Sequence, residues 1–143
     1  MKKFFYLMSL CLCMFAGVAV MSSCGDDDDI DDLNLKTGIT EKGNTLTLTV
    51  NSSYYTETMT ATFDDNDLCT KFITKEIYKS KDVADAAWAT YKAEYEGDDE
   101  WKCFSKDGKT ITIDETEYFK GQSKQEIRQY FESVKDEVDE YYK

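Results

Sequence analysis

The sequence predicts an α+β domain: a mostly antiparallel sheet of about five strands with two helices on one face, in the order β-β-β-α-β-β-α. Three observations carry this. Apolar residues alternate with Thr at a period of two from Asn44 onward, as in half-buried strands. Stretches following Ser80 and Ser123 instead repeat their apolar residues at helical spacing. Between them, Asp107-Gly108 separates two short runs and is a strong hairpin signal. Strands followed by a helix, twice over, favour a sheet with its helices segregated to one side.

The first strand sets Leu46, Leu48 and Val50 against Thr45, Thr47 and Thr49. A second, after Asn51-Ser52-Ser53, sets Met59, Ala61 and Phe63 against Thr58, Thr60 and Thr62. Asp64-Asp65-Asn66-Asp67 reads as a turn. The third strand, Leu68 to about Tyr78, is partly apolar on both faces, which marks a central strand. Ser80 is a helix N-cap, and the Ala-rich stretch behind it meets no breaker until Gly97, with Ala84, Trp88, Tyr91 and Tyr95 along one face. Trp101 to Ser105 and Lys109 to Asp114 form the hairpin arms. Ser123-Lys124-Gln125-Glu126 is a capping box opening the last helix, whose stripe is Ile127, Phe131, Val134, Val138 and Tyr141. A shift of 43 residues superposes the two helical stripes, which hints at two β-β-α halves. The absence of Pro is compatible with uninterrupted elements.

Upstream of this domain the composition is different. Lys2 and Lys3 precede an almost unbroken apolar run from Phe4 to Met21, the pattern of a secretory signal peptide over residues 1–23. Small residues Ser22 and Ser23 then stand immediately before Cys24. This resembles the lipobox of bacterial lipoproteins, which implies cleavage before Cys24 and acylation of its thiol and freed amine. Several acyl chains anchor stably, since each buried methylene contributes roughly 0.8 kcal/mol. The following run, Asp26, Asp27, Asp28 and Asp29 with Asp31 and Asp32, resembles the export signal of Bacteroidota surface lipoproteins. That resemblance implies an outer-membrane location facing the cell surface, with a periplasm-facing anchor as the alternative. Without the resemblance, the run is a solvated, self-repelling linker. An EF-hand reading fails, because the twelfth position counted from Asp26 is Thr37 rather than Glu. Residues 24–43 are therefore expected to be a lipidated acidic tether, long enough to span about 25 Å as a coil, and 44–143 a single domain.

Charge and composition narrow the function. From Cys24 onward 15 basic residues face 29 acidic ones, which disfavours nucleic-acid backbones and anionic membrane surfaces as partners. No His is present, so Ser-His-Asp and Cys-His nucleophile systems and His-containing zinc sites are excluded from this chain. No glycine loop for phosphate and no CxxC occurs, and no cofactor or metal is expected. Cys69 and Cys103 are the two thiols of the domain. Parity and an exported compartment invite a disulfide, while two small buried hydrophobes are the alternative. Acidic pairs such as Asp114-Glu115-Glu117 are expected on any solvated face of so acidic a chain, so a carboxylate-based hydrolase is the weakest reading. Tyr54, Tyr55, Tyr118 and Phe119 lie near strand ends and are the candidate binding aromatics. The expected function is a non-enzymatic, membrane-anchored module whose exposed sheet face or edge binds another envelope protein. The alternative is a ligand- or glycan-binding lipoprotein using Tyr and Trp platforms.

Overall fold

The computed structural model describes residues 36–141, and these form the expected α+β arrangement. Six strands make one antiparallel sheet: β1 (Lys36–Lys42), β2 (Thr45–Asn51), β3 (Tyr55–Phe63), β4 (Cys69–Tyr78), β5 (Phe104–Asp107) and β6 (Thr110–Asp114). Their spatial order is β1-β2-β3-β4-β6-β5. β4 is thus interior, as its two partly apolar faces predicted. The β1–β2 and β5–β6 pairs close through two-residue loops that begin at Gly43 and Gly108, with φ of 60° and 57°. Only glycine takes that conformation at no steric cost, which is why the hairpins turn there.

Alternation decides the two faces. Leu46, Leu48 and Val50 of β2, Met59, Ala61 and Phe63 of β3, Phe72 of β4, and Ile111 and Ile113 of β6 are all buried, and the residues between them are not. α1 (Lys81–Tyr95) and α3 (Lys124–Tyr141) cover that inner face, α1 over β4 and β6 and α3 over β1 and β2. Ser80 caps α1, its hydroxyl accepting from the Val83 N–H at 3.3 Å. The predicted capping box holds α3: the Ser123 N–H donates to Glu126 Oε2 at 2.7 Å, and the Glu126 N–H to Ser123 Oγ at 3.2 Å. Ile127, Phe131, Val134 and Val138 are buried as the stripe required. In α1 the buried set is Ala84, Ala87, Tyr91 and Tyr95. Trp88 is half-buried, lying against Trp101 with ring centroids 4.8 Å apart.

Three details depart from the sequence reading. The segment assigned to the tether contains β1, so the domain starts at Lys36 rather than Asn44. β1 gave no apolar alternation because it docks through polar groups. Its inward Glu41 is bound by Lys124 and Arg128, and Thr37 Oγ1 donates to Asp139 of α3 at 2.8 Å. Trp101 belongs to a 3-10 helix, Asp99–Cys103, not to a strand. Stacking of its ring on Phe104 and packing against Trp88 favour the tight turn over extension. A short helix α2 (Thr116–Phe119) follows β6. Of the two readings left open for Cys69 and Cys103, a bridge or unbridged side chains, the structure has separate thiols. β6 lies between β4, which carries Cys69, and β5, which begins at Phe104 directly after Cys103, and Cys69 sits four residues along β4 from the Ile73–Asp114 pair at the β6 end nearest Cys103. That is roughly 13 Å along the strand, beyond the Cα separation of about 7 Å that a bridge tolerates. The signal segment, Cys24 and Asp26 to Asp29 lie outside the described residues.

Candidate functional site

The inner face holds a polar cluster inside an otherwise apolar layer. β3 and β4 pair so that Glu57 stands directly opposite Glu76. Both share the parity of the core residues on their strands, and they are 2% and 1% exposed. Glu115, just past β6, is 5% exposed. Glu76 is satisfied by two tyrosines: Tyr78 Oη donates to Oε2 and Tyr91 Oη, from α1, to Oε1, each at 2.6 Å. Thr74 Oγ1 donates to Glu115 Oε2. Burial, then the charges of Glu76 and Glu115, push the Glu57 carboxyl well above the usual carboxylate range. Burial pushes Glu115 up to about 7, against the opposing hydrogen bond from Thr74. Burial, then the charges of Glu115, Glu57 and Glu137, raise the Tyr130 hydroxyl.

Physically, two carboxyls facing each other across a ladder in low dielectric do not both ionise. Glu76, with two hydroxyl donors, has the hydrogen bonds of a charged acceptor. Glu57 has none of these and takes the neutral form. Among the described residues no group of three or more acids or thiols is arranged to hold a metal ion. The cluster lies beneath the helices, so these carboxyls do not face one another across an open cleft, the geometry a glycosidase pair needs. Glu115 was visible in the sequence only as one of several acidic neighbours. The signal that would have found Glu57 and Glu76 is parity: each occupies an apolar slot in its own strand's alternation.

The outer face is of another kind. Register places Thr45 beside Thr62, Thr47 beside Thr60 and Thr49 beside Thr58, giving a double row of hydroxyls on β2 and β3. Neighbours across the strands are about 5 Å apart and successive pairs about 7 Å. Lysines flank the row: Lys36 and Lys42 on β1, Lys71 and Lys75 on β4. No described helix covers this face. Among the described residues, the edges of β1 and β5 have no strand partner. β5 is only four residues long, and β1 carries Lys at both ends, both devices that discourage edge-to-edge pairing.

The four candidate aromatics do not form one surface. Tyr55 is 3% exposed and stacks on Tyr78, while Phe119 is 8% exposed and stacks on Phe72 at 3.8 Å between centroids. Both are core, because their strand and helix positions point inward. Tyr54 and Tyr118 are half-exposed. Tyr54 adjoins the Tyr78 end of β4, and Tyr118 the Phe72 end, roughly 20 Å away along the strand. No family model, curated protein or solved structure matches the chain.

Proposed function

We propose that this chain is a lipid-anchored, non-enzymatic binding module of the cell envelope, presenting the helix-free face of its sheet to an envelope component. The observation that carries the reading is the asymmetry of the sheet. One face is closed by α1 and α3, while the other offers hydroxyls and lysines to solvent. The N-terminal signals support the address: the apolar leader, Ser22-Ser23-Cys24 as a lipobox, and Asp26 to Asp29 as the export stretch. A tether shortened by β1 still leaves about a dozen residues between Cys24 and the first strand. These reach about 20 Å as a coil, enough to lift a small domain off the headgroups.

Two experiments test this. Cys24→Ala should move the protein out of the membrane fraction, and protease added to intact cells should cut the parent protein. Replacing Asp26 to Asp29 by Asn should protect it. Protection of the parent would contradict surface display. Separately, a photoreactive amino acid at Thr58, in the centre of the outer face, should yield a cross-linked species on intact cells. The same group at exposed Glu132 on α3 should yield none. Equal yields from the two positions would remove the outer face from the proposal. An aromatic platform is the weaker second reading, since two of its four residues are in the core.

A further inference from the structure

Resting on the outer face as the binding surface, we infer that its ligand is an acidic polysaccharide, a hydroxyl-rich chain carrying carboxylate or sulfate groups. The first argument is charge. From Lys36 onward the chain has 15 basic against 23 acidic residues, a balance of −8. On the outer positions of the strands only Asp107 and Asp114 are acidic, against Lys36, Lys42, Lys71 and Lys75. The face is thus the cationic side of an acidic molecule. Among the described residues, none of those four lysines is in an ion pair, so each ammonium group is open to a ligand. At physiological salt, charges beyond about 8 Å are largely screened, so a bound anion responds to these lysines more than to the distant net charge.

The second argument is the chemistry between the lysines. One register row runs Lys42, Thr45, Thr62, Lys71, placing the backbones of two lysines about 14 Å apart with two threonines between them. Each Thr hydroxyl both donates and accepts, so it matches a sugar hydroxyl in either role. Its methyl group offers a small apolar contact to the C–H face of a sugar ring. A protein partner fits less well. Stable protein interfaces centre on desolvated aromatic or Arg anchors, and no strand residue on this face is aromatic or Arg. Its large apolar residues are Ile73 and Ile77, on β4 beside the hydroxyl rows, with Ile77 46% exposed. Nucleic acid fits less well again. Its charge density, about one phosphate per 1.7 Å of duplex, meets an acidic protein, and no aromatic is there to stack a base.

The test uses the full chain in detergent, binding to polygalacturonate and to chondroitin sulfate, with dextran as a neutral chain and polyglutamate as an acidic peptide. Wild type should bind at least one acidic polysaccharide, more weakly as salt rises, and should not bind dextran. K71E/K75E should weaken binding by about tenfold or more, since it reverses two contacting charges. T47V/T58V/T60V keeps shape and β-branching and should weaken it by about threefold to tenfold through lost hydrogen bonds. K71Q/K75Q, a milder change, replaces K71E/K75E if circular dichroism shows that variant unfolded. Failure of wild type to bind either acidic polysaccharide, or unchanged binding by the folded lysine and threonine variants, overturns the inference. Polyglutamate bound as tightly as the polysaccharides, with no effect of the threonine variant, also overturns it, in favour of an acidic protein, and leaves the binding-module reading standing. Cross-linking from Thr58 no greater than from Glu132 would take down that reading as well.

Discussion

Glu57, Glu76 and Glu115 are the most consequential individual residues inside the fold. Because burial raises the folded-state value of Glu115 from 4.5 to about 7, the native state holds its proton over a range where the unfolded chain has released it. Stability therefore falls as pH rises from about 4.5 to about 7 and is level above that, by about 3 kcal/mol from this group. Glu57 acts in the same direction. Glu115→Gln keeps an acceptor for Thr74 and removes the titration. Urea unfolding at pH 5 and pH 7.5 should show a clearly smaller difference in that variant than in the parent, and an undiminished difference would count against the assignment. Tyr91→Phe removes a hydroxyl donor to the buried Glu76 carboxyl. It should cost about 1–3 kcal/mol in the same measurement, and a loss under a few tenths would mean that water replaces the hydroxyl.

Among elements, α3 announces itself in sequence while β1 conceals itself, and the difference is what each uses to dock. α3 buries Ile127, Phe131, Val134 and Val138 and is opened by reciprocal Ser123 and Glu126 hydrogen bonds. Ser123→Ala should lower the unfolding free energy by about 1 kcal/mol. β1 presents Thr37, Ile39 and Glu41 to the helix layer, a pattern with one apolar residue. Its contacts are an edge ladder to β2 and polar pairs that are exposed or only part-buried, so native-state hydrogen exchange should be faster in β1 than in β3 or β4. Equal protection of all three strands would show that the polar docking is stronger than surface ion pairs usually are.

At the scale of the molecule, the fold is a one-sided sandwich in which the same strands serve two solvents. The inner face must be apolar to hold the helices, and the outer face carries Thr because β-branched hydroxyl residues satisfy strand geometry and water together. β2 depends on β1 for protection as well. Its sequence, Thr45 to Asn51, is uncharged and alternates Thr with Leu and Val. Deleting Lys36 to Lys42 would bare an edge with every feature of an aggregation site. Size-exclusion chromatography of that deletion should show larger species than the parent run under the same conditions. A monomeric deletion would mean that α3 covers the β2 edge unaided.

The identity of β2, β3, β4 and β6 and of the two long helices, the N-caps at Ser80 and Ser123, the β5–β6 turn and the restriction of those helices to one face followed from the sequence alone. They depend on local periodicity and on turn and capping chemistry, all of which act over a few residues. The sequence also showed which Thr share a side of their own strand. Only tertiary structure decided that those rows lie beside one another between lysines, because register is a relation between strands. It likewise decided that Glu57 faces Glu76, and that Tyr55 and Phe119 turn into the core. Each of those outcomes depends on groups brought together from distant positions, where packing, rather than local preference, sets the energy.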